Sequence, residues 1–165
     1  MANKKRFGEF DSVEELNAAA EGLMKEGDLD GLLALANENG LDKEDAMDYF
    51  DGYTETLTTL IQAASAKLKY EAESLELKGQ LLDWKNMVVE KCLNSHEFCK
   101  QVMKKDKHLS IMLSEILKFS FENKITVHED IVKFAKLSIP GRISMGMAGK
   151  QDVERIITEY YQVEV

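Results

Sequence analysis

The stretch SVEELNAAAEGLMKEGDLDGLLALANENGLDKEDAMDYFDG, residues 12–52, decides the fold. Ser12-Val-Glu-Glu15 has the spacing of a capping box, and Leu16, Ala19, Ala20, Leu23 and Met24 then line one helical face as far as Gly27. Asp28 caps a second helix through Leu29, Leu32, Leu33, Leu35 and Ala36, and Asn39-Gly40 supplies a left-handed terminus. A third helix is expected over 42–51, with Met47, Tyr49 and Phe50 available for packing and Gly52 closing it. Three short helices punctuated by glycine predict a small bundle.

Working outward, the same apolar spacing of three and four continues, and Pro140 is the single proline in 165 residues. The spacing predicts a longer helix from Thr54 through Leu57, Leu60, Ile61, Ala64, Leu68 and Leu75, broken or bent near Gly79. A helix through Leu81, Trp84, Val88 and Cys92 follows, then a short one capped at Asn94-Ser95 and ending before Lys104. His108 to Glu122 reads as amphipathic helix, and Thr126-Val-His-Glu129 as a second capping box opening a helix to Leu137. The turn-rich segment SIPGRISMGMAG, residues 138–149, leaves room for one short strand at 143–145 before a last helix over 151–161. The change in helix length near Gly52 suggests a boundary. The expected architecture is all-α: an acidic three-helix N-terminal lobe, residues 1–52, and a larger helical bundle, residues 53–165.

Charge is distributed as unevenly as helix length. Residues 7–56 hold fifteen Asp and Glu against Lys25 and Lys43, whereas residues 57–165 hold sixteen Lys and Arg and fifteen Asp and Glu. Phosphates would be repelled by such a block, so direct nucleic-acid binding is disfavoured and a basic protein partner favoured. Its sharpest pattern is Asp42, Asp45, Asp48 and Asp51, a carboxylate every third residue, with Glu44 added. Helix-dipole stabilisation explains Asp42 and Asp45 at an N-terminus but has the wrong sign for Asp48 and Asp51 at the other end. At 1.5 Å per residue the stripe carries about one charge per 2.7 Å, comparable with one DNA strand's charge per 3.4 Å, a density that permits phosphate mimicry. The candidate partner-binding residues are therefore Asp42, Glu44, Asp45, Asp48 and Asp51, with Glu14, Glu15 and Glu21 second.

Other motifs fail on chemistry. The acids of Asp28-Leu-Asp30-Gly31 bring glycine two positions too early for a calcium loop. Cys92, His96 and Cys99 would align as zinc ligands only on one unbroken helix, and no fourth ligand is local. On such a helix the two thiols would stand about 10 Å apart, too far for a bridge, and reduced cysteines in a cytosolic compartment are expected. Gly141-Arg-Ile-Ser-Met-Gly146 has phosphate-loop glycines but lacks the Lys-Ser/Thr that must follow. No nucleophile and base occur at a catalytic spacing, so no enzyme, cofactor or metal is expected. MANKKRF has no apolar run behind its basic residues and no stretch approaches about 20 apolar residues, so neither a signal peptide nor a membrane span is expected.

With these elements placed, RFGEFDSVEELNAAAEGLMKEGDLDGLLALANENGLDKEDAMDYFDGYT resembles the opening of the PcfK-like family of small acidic proteins carried by bacterial conjugative elements and phages. The ending SMGMAGKQDVERIITEYY resembles that family's glycine turn and closing helix, so the resemblance covers roughly the first fifty and last twenty residues. The family includes type II-A anti-CRISPR proteins, inhibitors of an RNA-guided DNA nuclease. The resemblance implies a non-catalytic interaction protein of a mobile genetic element, acting in the bacterial cytoplasm. The expected function joins the two lines: an acidic DNA mimic that occupies the positively charged channel of a type II-A CRISPR nuclease. The alternatives are an accessory interaction protein of conjugation or plasmid maintenance, and direct nucleic-acid binding through Lys104, Lys105, Lys107 and Arg142.

Overall fold

A computed structural model describes residues 6–139 and 141–162; Lys4 and Lys5 of the basic start and Pro140 of the turn-rich segment lie outside them. The fold is all-α with one two-stranded antiparallel ribbon. The acidic stretch folds as its local signals dictate. In α1 (Val13–Glu26) the Ser12 hydroxyl accepts the Glu15 N–H at 3.2 Å, and Gly27 closes the helix at φ 69°. In α2 (Leu29–Glu38) Asp28 Oδ1 accepts the Gly31 N–H at 2.7 Å. The link to α3 (Lys43–Phe50) passes through Gly40 at φ 71°, where an added Cβ would stand 2.6 Å from the Ala66 carbonyl oxygen. Only glycine satisfies both the backbone angle and that approach.

The next helix, α4 (Leu60–Ser74), starts later than the Thr54 expected from apolar spacing. Thr59 and Gln62 form a capping box: the Gln62 N–H donates to Thr59 Oγ1 at 3.4 Å and the Thr59 N–H to Gln62 Oε1 at 3.1 Å. Residues 53–59, rich in threonine, run ahead of it as irregular chain, with Leu57 and Thr58 buried. There Asn17 pairs both ways with one backbone unit: its Nδ2 donates to the Thr58 carbonyl at 2.9 Å and its Oδ1 accepts the Thr58 N–H at 3.1 Å.

Helix α4 buries Ala63, Ala64, Ala66, Leu68 and Ala72, small residues that admit close neighbours, and packs against α5 (Gln80–Asn94), α6 (His96–Met103) and α7 (Leu109–Glu122). Ser95 breaks the chain between α5 and α6, its hydroxyl accepting the Phe98 N–H at 3.2 Å. The 10 Å separation of Cys92 and Cys99 expected on one helix is therefore not kept. Both free thiols are buried, Cys99 Sγ donates to the Leu60 carbonyl at 3.6 Å, and the neighbouring Cys99 thiol together with burial pushes the Cys92 pKa up.

Beyond α7 come β1 (Ile125–Thr126), a short α8 (Glu129–Phe134), β2 (Ser144–Met145) and α9 (Lys150–Tyr161). The strand expected near 143–145 is present, paired as Ile125 with Met145 and Thr126 with Ser144. Thr126 consequently does not open a capping box: the β-branched run Ile125-Thr126-Val127 is extended, His128 Nδ1 accepts the Asp130 N–H at 3.3 Å, and the helix stops short of Leu137. Every helix except α8 contributes buried residues to one continuous core, in which Leu16, Leu32, Leu68, Ile116 and Ile157 are nearly inaccessible. Each such side chain stabilises the fold by about 1.5–3 kcal/mol relative to exposure. Among the described residues, no helix is long and apolar enough to cross a membrane.

Candidate functional site

Packing decides which carboxylates of α3 face outward. Ala46 and Tyr49 are buried and Phe50 half-buried, so at 100° per residue Glu44, Asp48 and Asp51 fall within an arc of about 60° directly opposite. All three are exposed. Asp45 lies on the flank and is half-buried, and Asp42 stands at the N-cap without a side-chain capping bond. The spacing of the outward-facing acids is thus i, i+4, i+7 rather than every third residue. Among the described residues, none of Asp42, Glu44, Asp45, Asp48 and Asp51 makes a side-chain hydrogen bond or ion pair, so the face projects its charge unneutralised.

The end of α3 adds an aromatic residue that charge patterning does not reveal. The Tyr53 N–H donates to the Asp48 carbonyl at 2.8 Å and the Gly52 N–H to the Tyr49 carbonyl at 3.1 Å, a Schellman arrangement closed by Gly52 at φ 79°. Tyr53 is left 79% exposed, two residues beyond Asp51 in the chain. A Schellman signal was readable at Gly52; the orientation of Tyr53 was not.

The second-rank acids separate. Glu14 and Glu21 join Glu55 around a groove of about 680 Å³ floored by Tyr49 and Met24, and none of the five α3 acids lines it. Glu21 is paired with Lys25, whose pKa it raises by hydrogen bonding. Glu15 is turned to its own helix start, accepting the Asp11 N–H at 2.9 Å.

Other acids of the block hold the fold together. Glu38 accepts the N–H groups of Arg6 and Phe7 at 2.8 and 3.0 Å. Asp11 accepts the Lys105 N–H at 3.2 Å and pairs with Lys104 at 3.5 Å, and the Lys105 N–H chiefly holds its pKa below the ordinary value. The basic loop considered for nucleic acid is similarly engaged, since Lys107 Nζ donates to the Tyr160 carbonyl at 2.9 Å. Arg142 is exposed and remote in sequence from that loop.

A partly open pocket of about 230 Å³ lies between α4, α6 and the residue 9–10 segment, lined by Phe10, Lys67, Tyr70, Glu71 and His108. Its charged groups have structural tasks. Lys67 Nζ donates to the carbonyls of Val102, Lys104 and Lys107 at 2.9, 2.7 and 2.8 Å, and Glu71 accepts the Leu109 N–H at the start of α7 at 2.6 Å. Among the described residues, no group of three or more His, Cys, Asp and Glu is placed to hold a metal; His96 lies exposed while Cys92 and Cys99 are interior. The chain matches no family model, and no curated protein or solved structure matches it at a significant level.

Proposed function

We propose that this chain is a non-catalytic protein inhibitor that uses the outer face of α3 to occupy a basic nucleic-acid channel, that of a type II-A CRISPR RNA-guided nuclease. One observation carries the reading: Glu44, Asp48 and Asp51 share a solvent face, and none has an intramolecular partner among the described residues. Other acids of the block, such as Asp11 and Glu38, are engaged in backbone hydrogen bonds and ion pairs, whereas the α3 acids keep their charge for a partner. The three carboxylates extend over about 10 Å of helix axis, the distance of a few phosphates along a strand. Exposed Tyr53 supplies the kind of rigid aromatic contact that protein interfaces favour. The resemblance of both ends of the chain to the PcfK-like family selects the target and the mobile-element setting.

The test is DNA cleavage by the guide-loaded nuclease, with the intact chain titrated against Glu44→Lys/Asp48→Lys/Asp51→Lys. Inhibition by the wild type, lost in the triple variant with helical circular dichroism unchanged, is expected. Unchanged inhibition by the variant overturns the acidic-face mechanism. Absence of inhibition by the wild type overturns the nuclease as target and turns attention to partners within the conjugation machinery.

A further inference from the structure

Among the described residues, the excursion from β1 through α8 to β2 holds a concentration of exposed large apolar side chains. Phe134 is 84% exposed, Ile125 71%, Ile131 63% and Ile139 56%. No residue of α8 is buried. The ribbon register places Ile125 beside Met145 and, one step along the same face, Val127 beside Ile143, while Thr126 and Ser144 occupy the other face. With Leu117 and Phe121 at the end of α7, the exposed apolar side chains of this arm sum to on the order of 1,000 Å², the order that one side of a stable interface needs. A helix of six residues with only Val132 half-buried gains little packing energy from its own chain.

We infer that this arm is a self-association surface, and that its partner is a second copy of the chain packed antiparallel about a two-fold axis through α8. Charge placement selects that occupant. On the helix, Ile131 and Phe134 form the outward apolar strip, and Asp130 and Lys133 lie along the same flank of it. A two-fold that sets Ile131 of one copy against Phe134 of the other brings Asp130 of each beside Lys133 of its mate, so one patch supplies both halves of each ion pair. A membrane of anionic lipid, or an acidic peptide, would be met by the arm's Lys124, Lys133, Lys136 and Arg142 but also by Glu129 and Asp130 at the head of the exposed helix. An isologous mate has no such conflict. A two-fold contact that reaches the ribbon would add its partly exposed apolar residues Ile125, Val127, Ile143 and Met145.

The experiment is the mass of the full chain by sedimentation equilibrium, from low micromolar to several hundred micromolar. The wild type is expected to dimerise, and Phe134→Ser to be monomeric, with the two thermal midpoints equal at concentrations low enough for the wild type to be monomeric, because Phe134 is exposed in the monomer. Asp130→Lys and Lys133→Asp each set like charges against each other and are expected to weaken the dimer roughly tenfold. Mixed in equal amounts, those two variants restore opposite charges at both contacts and regain dimerisation as a heterodimer, an outcome that a generally damaged surface would not give. A wild type that remains monomeric throughout overturns the inference, whether or not it floats with vesicles containing phosphatidylserine. So does a dimer that Phe134→Ser leaves intact, or a mixture of the charge variants that shows no recovery.

Discussion

Gly146 crosses α7 so closely that a Cβ on it would overlap the backbone carbonyl oxygen of Ser120. Two residues later the Ala148 N–H donates to the buried Ser120 hydroxyl at 3.0 Å. The return strand of the arm is thus fastened to the body at one helical position, by contact and by hydrogen bond together. Gly146→Ala is expected to lower stability by about 2–3 kcal/mol, because the obstacle is backbone and cannot rotate away. Chemical denaturation followed by circular dichroism measures the loss, and a variant as stable as the wild type would show that the two segments do not approach so closely.

Asn17 offers a second test of a non-local tie. Its side chain satisfies both the N–H and the carbonyl of the buried Thr58. Asn17→Ala leaves both backbone groups without that partner and is expected to cost about 2 kcal/mol. The accompanying change should be faster amide exchange at Thr58, read by NMR, with the α4 amides beyond Gln62 unaffected.

Lys67 is expected to be among the most sensitive charged positions. Three carbonyls converge on its ammonium, so Lys67→Met retains the aliphatic stem and removes only the donor. The expected loss is about 2–4 kcal/mol. Lys104→Met, at an ion pair whose two side chains are 43% and 35% exposed, is expected to change stability by less than about 1 kcal/mol, and equal effects in the two variants would contradict this assignment.

Alkaline stability follows from the closing tyrosines. Burial raises the pKa of both Tyr160 and Tyr161, most strongly Tyr161. Their folded state holds its phenolic protons where the unfolded chain begins to release them, near the ordinary value of about 10. The stabilisation is therefore full below that pH and declines as pH rises through the folded-state values. Thermal midpoints measured between neutral pH and about pH 11 should fall above about 10, and less steeply in Tyr161→Phe.

At the acid end the sign reverses. Asp11 is held below its ordinary pKa chiefly by the Lys105 N–H, so its contribution is present above the unfolded-state value and is lost as pH falls through the folded one. Asp11→Asn is expected to flatten the stability profile in that acidic window and to leave the alkaline limb unchanged.

Where structure follows from neighbours in sequence, the chain could be read directly. Ser12, Asp28, Gly27, Gly40 and Gly52 mark helix ends through their own side chains or backbone freedom, and all five do so in the fold. The box at Thr59 and Gln62 was also local, but Leu57 fitted the apolar period and disguised irregular chain as helix. Pairing of Ile125 with Met145 depended on a partner twenty residues away, and Asp11 meets Lys105 from 94 residues away, relations no local pattern encodes. For the candidate site the acids were legible but their grouping was not, since selecting Glu44, Asp48 and Asp51 required knowing that Ala46 and Tyr49 face the core.

Because β1 and β2 leave the body side by side, everything between Thr126 and Ser144 is a closed excursion whose two ends already meet. The body does not sense its length. That stem makes the arm a graftable cassette: residues within it can be exchanged, shortened or replaced by a tight turn while the helices beneath keep their packing, so the proposed α3 contact and the proposed self-association can be tested one at a time.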